Sequence, residues 1–526
     1  MSAIIIEFSQ SEEFRIEDSM GARSGKEFLT GLKSPREVWV NGEKVGDVVS
    51  HPALAGAAKT LAEIFDLQHE AADTCLMPDP ETGEPINISH IIPRAKEDLE
   101  RRHRALQRIA EYTVGLMGRT PDYMNVTFAG FAGRADEWAI DGNERGAANL
   151  VAYQKFIARK DLSLTHTIVQ PTIDKALGDA PAAGNDVALQ KVVDTEHGIL
   201  VRGARVLATL APFADEMAVY PAVPLPEGAD AYALSFCIPM NTPGLKFLCR
   251  DSCSTTRSRF DHPLSSRFDE QDAFVIFDDV EVPRDRVFIN ASLKAYNSVM
   301  TTGWYPNIMQ QTMIRAQTKL EFAYGLAMAM AEAINDKSPA TSQMLGEIWT
   351  YSEFARAAIH SAETEAFEYG NGVWFPNGGP LAALRAILPT WFPRVAEIIT
   401  LIGSHNLLAA PSESQLDDPM LSPLISRYLR GAKEIGARDR ARIFRLAWDF
   451  VGSALAGRNE LYERFYLASG ARNYSLAHVL ASKQRGKRLV DQLLGLAPQQ
   501  ADSDNGDAAT HQVTNLPKKA SEWVRK

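Results

Sequence analysis

The spacing of apolar residues changes twice along the chain. Segments 53–67 and 94–117 carry apolar residues at intervals of three and four, the second with a charged run at 96–104 on its outer side. This period is typical of amphipathic helices, and a loop rich in proline and glycine separates the two segments at 78–85. The first 160 residues are therefore predicted to be mainly helical.

Short β-branched and aromatic runs, punctuated by turn residues, follow between Pro171 and Phe288. Runs of this length and spacing are typical of a small β-barrel or β-sandwich. The predicted strands are 187–194, 198–207, 216–223, 231–238, 245–250 and 273–282.

The helical period returns from Asn307, where one uninterrupted segment reaches Asn335. Such helices in succession are typical of a bundle. Further helical segments are predicted at 342–369, 381–407, 420–456 and 461–467.

These patterns predict a protein that is mainly α with a central β domain. The expected units are an N-terminal helical domain (1–160), a β-barrel domain (161–295), a C-terminal helical bundle (296–497) and a polar mobile tail (498–526). A Rossmann domain would need alternating strands and helices and a G-x-G-x-x-G turn, and the sequence has neither. Any nucleotide is therefore expected in a cleft between domains.

Charge and hydropathy argue against two classes of partner. Asp and Glu outnumber Lys and Arg by 66 to 55, the net charge is −11, and no long basic block is present, so nucleic acid is not an expected partner. No apolar run approaches the ~18 residues that span a membrane, and residues 1–10 lack the basic start of a signal peptide. We expect a cytoplasmic protein, and the four cysteines do not follow a metal-binding pattern.

Two segments carry side chains suited to catalysis. Residues 117–125 (MGRTPDYMN) place Arg119, which can hold a phenolate or peroxide oxygen, four positions before Tyr123. Residues 161–175 (DLSLTHTIVQPTIDK) set His166 among hydroxyls, where it can act as an acid or base. A helix C-terminus with a buried tyrosine, and a structural histidine, would explain the same patterns.

Two further segments are suited to binding a flat ring or a phosphate. Residues 203–212 (GARVLATLAP) end a strand in alanine and threonine, which lets a ring approach, with Thr209 as a donor to its edge. Residues 451–466 (VGSALAGRNELYERFY) have small residues before an acidic, aromatic helix, where Arg458 is the obvious partner. Close helix packing through Ala and Gly would explain the second segment as well.

Together these segments resemble the 4-hydroxyphenylacetate 3-monooxygenase family, which includes related phenol, chlorophenol and nitrophenol hydroxylases. The resemblance covers about 24–495 and rests on the ordered motifs GRTPDYMN, LTHTIVQPTIDK, GARVLATLAPFADE, NTPGLKFLCR, FDDVEVPRDRVF and AGRNELYERFY. It implies an acyl-CoA dehydrogenase-like fold and the oxygenase component of a two-component monooxygenase that hydroxylates a phenolic substrate. It also implies FAD as FADH2, O2, a flavin hydroperoxide, a separate NAD(P)H-dependent flavin reductase and a homotetramer.

The resemblance also implies roles for individual residues. Arg119, Tyr123 and His166 match the family's catalytic trio. The positions that match its flavin-binding stretches are His166, Thr167, Ile168, Thr172, Ile173, Asp174, Lys175, Thr209, Ala456, Gly457 and Arg458. The positions that match its substrate-binding residues are Arg119, Thr120, Pro121, Asp122, Tyr123, His166, Pro221 and Ala222. The last two depart from the family, because hydroxyphenylacetate enzymes have small hydroxyl residues there, so other substituted phenols remain open.

Three other functions remain open on the sequence. An acyl-CoA dehydrogenase would share the fold, since fold does not determine function. A di-iron hydroxylase would need paired Glu-x-x-His motifs, and the one found, at Glu100 and His103, is better explained by a solvated helix face. A catalytically inactive flavin-binding or scaffold protein is the third.

Overall fold

The computed structural model describes residues 21–174, 185–254, 258–299, 302–481 and 483–496. Lys175 and the tail predicted at 498–526 lie outside the described residues.

Helices dominate the chain before residue 161, as predicted. They are α1 (Gly25–Gly31), α2 (Ala55–Glu70), α3 (Ala72–Cys75), α4 (Lys96–Tyr112), α5 (Pro121–Gly133) and α6 (Glu144–Lys160). The charged run of α4 is not wholly on the outer side, because Arg102 is fully buried and its Nε donates to Gln310 Oε1 at 2.8 Å.

This part of the chain also contains four short strands that were not predicted. They are β1 (Glu37–Val40), β2 (Glu43–Lys44), β3 (Leu76–Pro78) and β4 (Pro85–Asn87). β1 pairs in parallel with a strand of the central sheet, β10 (Leu245–Cys249), so the N-terminal segment extends that sheet. Four residues or fewer are too short to show a β period in the sequence.

Two sheets form the central part. The remaining strands are β5 (Leu164–Thr167), β6 (Gln190–Asp194), β7 (Gly198–Thr209), β8 (Glu216–Val219), β9 (Leu234–Pro239), β11 (Asp272–Pro283) and β12 (Val287–Asn290). Their orders are β2-β1-β10-β11-β7-β6 and β12-β9-β8-β5. All six predicted strands are present as β6 to β11, whereas β5 and β12 were missed. The sequence of β5, LTHT, lacks an apolar alternation because all four of its residues are buried.

Helices return after β12 and form the C-terminal part. They are α7 (Leu293–Ser298), α8 (Trp304–Ala333), α9 (Pro339–Thr364), α10 (Gly378–Gly403), α11 (Glu413–Asp417), α12 (Ser422–Tyr428), α13 (Ala437–Val451), α14 (Ala454–Phe465), α15 (Gly470–Leu480) and α16 (Gln484–Leu493). By length and composition α10 could cross a membrane, but half of its most apolar window is buried, as in a core helix.

Two predictions in this part were wrong in detail. The segment predicted as one helix at 420–456 is divided between α12, α13 and α14, since Lys433 adopts a positive φ and Ser453 caps a new helix. The end of segment 342–369 is not helical but pairs as a hairpin, β13 (Phe367–Gly370) with β14 (Val373–Phe375). An Asn-Gly turn between these strands explains the hairpin. The fold class, mainly α with a central β region, is confirmed, and the domain boundaries stay predictions.

Candidate active site

Two elements bring the three predicted catalytic residues to one place. Arg119 lies just before α5, which begins with Pro121, a residue suited to the first turn of a helix. Tyr123 follows in that first turn. His166 lies on β5, which runs parallel to β8 with His166 opposite Ala218.

The side chains of the trio are packed directly against one another. The rings of Tyr123 and His166 stack with their centroids 5.4 Å apart and an interplanar angle of 18°. The guanidinium carbon of Arg119 lies 4.0 Å from the Tyr123 ring centroid, within the range of a cation–π interaction. Tyr123 and His166 are both buried. The structure therefore places these residues together, and their catalytic roles stay predictions.

The surroundings of His166 determine its charge. Burial is the larger effect and the nearby Arg119 cation the smaller, and both lower the pKa of His166 well below 6.5. The imidazole is therefore neutral at pH 7 and has a ring nitrogen able to accept a proton.

Arg119 is restrained by groups that the sequence analysis missed. Its backbone N–H donates to Glu270 Oε1 at 2.7 Å, and its Nη1 donates to the Tyr462 hydroxyl at 3.1 Å. Tyr462 stacks on Tyr466 at 4.2 Å, and the Arg119 guanidinium also lies over the Tyr466 ring at 4.9 Å. The spacing of four between these tyrosines was a usable signal, because residues four apart share a helix face.

Tyr220 is another residue that the sequence analysis missed. Its ring centroid lies 5.4 Å from that of His166 and 6.1 Å from that of Trp304. Its hydroxyl is buried and interacts with that of Tyr123, and burial raises the pKa of Tyr220 well above 10. A protonated phenol is thus available to a ligand at this position.

The other predicted substrate-binding residues lie in two places. Thr120, Pro121 and Asp122 are buried at the start of α5, and burial raises the pKa of Asp122 to about 6. Pro221 is buried and Ala222 half-buried directly after Tyr220, at the end of β8.

Two of the three predicted flavin-binding threonines are already hydrogen-bonded within the protein. Thr167 Oγ1 donates to Val206 O at 3.3 Å, and Thr209 Oγ1 donates to Asp272 Oδ1 at 2.7 Å. In the same flavin-matching stretch, Ile168 is half-buried. Thr172, the third of these threonines, is exposed.

The residues beside these threonines nevertheless fit a flat heteroaromatic ring. Val169, Ile173 and Leu207 each leave more than half of their surface exposed, while Asp174 is exposed at the end of the same stretch. Gln271 Nε2 is a buried amide donor that has no hydrogen-bond partner among the described residues. An uncovered apolar surface suits the apolar faces of an isoalloxazine, and an amide donor beside the Thr209–Asp272 pair suits one of its carbonyl edges.

Arg458 connects α14 to the central sheet. Its Nε and Nη2 donate to Asp272 at 2.9 and 2.8 Å, and its Nη1 donates to Glu270 Oε2 at 2.9 Å. Its predicted pairing with a phosphate or ring stays a prediction. Ala456 and Gly457 lie in the first turn of α14, where a Cβ on Gly457 would meet open space.

The Glu-x-x-His pattern on α4 is not part of a metal cluster in the described part of the chain. Glu100 is exposed, and His103 Nδ1 lies 2.7 Å from Glu363 Oε1. No group of three or more His, Cys, Asp and Glu side chains that could hold a metal occurs among the described residues.

Two family models cover most of the chain. The model for the 4-hydroxyphenylacetate 3-hydroxylase N terminal matches residues 24–289, and the model for its C terminal matches residues 295–495. The chain belongs to the 4-hydroxyphenylacetate 3-hydroxylase family. The family predicted from the six motifs is thereby confirmed.

Individual members of the 4-hydroxyphenylacetate 3-hydroxylase family agree with this assignment. The chain is 37% identical to a 4-hydroxyphenylacetate 3-monooxygenase oxygenase component from Thermus thermophilus, over 89% of this chain and 96% of that one. It superposes with a TM-score of 0.86 and 36% identity on such an oxygenase component complexed with FAD and 4-hydroxyphenylacetate, covering 90% of this chain and 98% of that one.

A more distant likeness bears on the fold alone. An archaeal 4-hydroxybutyryl-CoA dehydratase from N. maritimus superposes with a TM-score of 0.84 at 18% identity, covering 95% of this chain and all of that one. The layout of the 4-hydroxyphenylacetate 3-hydroxylase family is thus shared with an enzyme that acts on a coenzyme A ester.

Proposed function

We propose that this chain is the oxygenase component of a two-component monooxygenase that hydroxylates a phenol at the carbon beside its hydroxyl group. FAD, as FADH2, is its cofactor and O2 its co-substrate. The observation that carries the proposal is the buried stack of Tyr123 and His166 beneath the Arg119 guanidinium. Family membership and the FAD-bound structure of a relative support it.

The side chains of the trio can convert a bound phenol into a better nucleophile. A free phenol has a pKa of about 10 and is neutral at pH 7, whereas its phenolate is richer in electrons at the ring. Neutral His166 accepts the phenol proton at a ring nitrogen, and Arg119 stabilises the developing phenolate oxygen. Tyr123 and Tyr220 orient the ring, and their burial excludes water. Bound reduced flavin, with O2, supplies the oxygen atom that the ring attacks.

The flavin would be held where the apolar surface near Thr167 and Thr209 meets the start of α14. We propose that a separate NAD(P)H-dependent flavin reductase supplies it, since the sequence lacks a nicotinamide-binding pattern. Reduced flavin can pass between the two proteins by diffusion, so no stable complex is needed.

We also propose a homotetramer. On α14, Leu461 and Phe465 expose more than half of their surface, and α16 has no buried residue, with Leu493 almost fully exposed. A helix of this length is not stable by itself in water, so a second copy is the expected cover for these apolar surfaces.

An acyl-CoA dehydrogenase is not favoured. The likeness to a coenzyme A enzyme shows the fold alone. The proposed site presents an arginine, a tyrosine and a neutral histidine around the reacting position, which suits a phenol rather than an acyl thioester.

Product analysis with labelled oxygen tests the proposed function. The chain is mixed with chemically reduced FAD, 18O2 and a panel of para-substituted phenols, and products are identified by mass spectrometry. We expect a catechol with one labelled oxygen. His166→Ala should still consume O2, released as hydrogen peroxide, while the catechol yield falls by about 100-fold. The proposal fails if FAD binds but no phenol gains labelled oxygen.

A further inference from the structure

Arg458, on α14, is a buried cation that lies between two buried carboxylates. Its side chain is 8% exposed, and those of Glu270 and Asp272 are 0% and 6% exposed. Its Nη1 donates to Glu270 Oε2 at 2.9 Å, while its Nε and Nη2 donate to Asp272 at 2.9 and 2.8 Å. Every nitrogen of this guanidinium therefore already donates to a carboxylate of the protein.

Two residues that contact Arg458 also hold Arg119. The other oxygen of Glu270, Oε1, accepts a hydrogen bond from the backbone N–H of Arg119 at 2.7 Å. The Tyr462 hydroxyl accepts one from Arg119 Nη1 at 3.1 Å, and the guanidinium carbon of Arg458 lies 4.7 Å from the Tyr462 ring centroid. Arg119 is thus restrained at its backbone and at its guanidinium by residues that Arg458 contacts directly.

The two carboxylates do not depend on Arg458 equally. Asp272 also accepts a hydrogen bond from Arg250 Nε at 2.9 Å. Burial would raise the pKa of Asp272, but Arg458 and Arg250 outweigh it and lower the pKa to about 2. The Glu270 side chain, in contrast, forms its ion pair with Arg458 alone among the described residues. Loss of the Arg458 guanidinium should therefore release Glu270 more than Asp272.

We propose that Arg458 is a positioning residue, which fixes Arg119 for the reaction by holding Glu270 and Tyr462. This inference rests on the proposed function, in which Arg119 stabilises the phenolate oxygen, and it gives Arg458 a role other than contact with a flavin phosphate. A residue that acts through Arg119 affects the hydroxylation step, because a small misplacement of a group at the reacting atoms can cost about 100-fold in rate. A phosphate ligand affects the affinity for the flavin instead.

Arg458→Lys tests the inference, because one ammonium group cannot bridge both carboxylates as the guanidinium does. The variant should bind FAD within about threefold of the wild type in equilibrium dialysis, whereas loss of a guanidinium–phosphate pair would weaken binding by about tenfold or more. Its kcat for catechol formation should fall by about 10- to 100-fold, with the consumed O2 released as hydrogen peroxide. Arg134→Lys is the matched control and should change neither quantity, since buried Arg134 also bridges two carboxylates, those of Asp136 and Glu137.

Exchange of the Arg119 backbone amide gives a readout that does not need activity. In hydrogen–deuterium exchange followed by mass spectrometry, the peptide that contains residues 118–123 should exchange faster in Arg458→Lys, because the acceptor of the Arg119 N–H is no longer held in place. The same peptide should exchange at the wild-type rate in Arg134→Lys. An unchanged rate in Arg458→Lys overturns the inference. If the exchange rates behave as expected but the wild type forms no catechol, the proposed function fails and the positioning of Arg119 by Arg458 stands.

A double-mutant cycle with Glu270→Gln identifies the route of the effect. The amide replaces one carboxylate oxygen with a donor, so only one of Arg119 and Arg458 keeps its acceptor, and kcat should fall as in Arg458→Lys. The double variant should lose no more than the larger single loss, because both substitutions break one connection. Losses that multiply in the double variant overturn the inference. Glu270→Gln alone, with the same kcat and exchange measurements, decides the question if Arg458→Lys does not fold.

Discussion

Glu463 offers the sharpest test of how the site is supported. This α14 carboxylate accepts hydrogen bonds from Arg315 Nη1 and Nη2 at 2.6 and 3.0 Å and from Lys319 Nζ at 2.9 Å. All three side chains are buried. The residue before Glu463 on α14 is Tyr462, whose hydroxyl accepts a hydrogen bond from Arg119. The ion group therefore lies beside a residue that supports the proposed active site.

The expected effect of Glu463→Gln follows from the electrostatics of this group. Burial would raise the pKa of Glu463, but Arg315 and then Lys319 outweigh it and lower the pKa from 4.5 to about 2. At about 1.4 kcal/mol per pKa unit, this lowering of the Glu463 pKa corresponds to about 3 kcal/mol of stability. The substitution also leaves two buried cations without a counter-charge, for which about 3–5 kcal/mol is typical.

The pH dependence has a definite sign. The folded-state pKa of Glu463 is depressed, so its contribution is fully present above pH 4.5 and is lost as the pH falls towards 2. The difference in the free energy of unfolding between the wild type and Glu463→Gln should therefore shrink as the pH falls from 4.5 towards 2.

Urea unfolding followed by tryptophan fluorescence measures the effect. Glu347→Gln is the matched control, since Glu347 binds both Nε and Nη2 of Arg394 at 2.8 and 3.0 Å but is partly exposed. We expect the control to lose at most about 1 kcal/mol at pH 7. Equal losses for the two variants would refute the reasoning, because burial would then make no difference.

Three further predictions concern the site itself. Because the pKa of His166 is held well below 6.5, the pH profile of kcat/KM should show no inflection near pH 6.5 in Asp122→Asn, which removes the buried carboxyl with a pKa of about 6, and an inflection there would contradict a neutral buried imidazole. Tyr462→Phe should lower kcat about tenfold with an unchanged KM, whereas the exposed control Tyr474→Phe should lower neither. Tyr220→Phe removes a buried hydroxyl that lies beside the trio, so phenol affinity should drop about tenfold in equilibrium dialysis, and an unchanged affinity would exclude a contact between this hydroxyl and the substrate.

Much of the fold could be predicted from local periodicity. Strands such as β7 and β11 and helices such as α8 are long enough for one face of apolar residues to repeat, and burial of that face is what the repeat reflects. The segments that contain Arg119, Tyr123 and His166 could also be recognised from the sequence, because each forms a short continuous motif.

The sequence alone predicted the long helices and the main strands of this chain, and the family that it resembles. Only the tertiary structure showed that Tyr220 and Tyr462 border the trio, since each of these contacts joins elements far apart in the chain. The strand that carries His166 was likewise hidden, because a strand buried on both faces shows no alternation. Partners brought together by packing leave no spacing signal, and for that reason the surroundings of the site could not be inferred from the residues that form it.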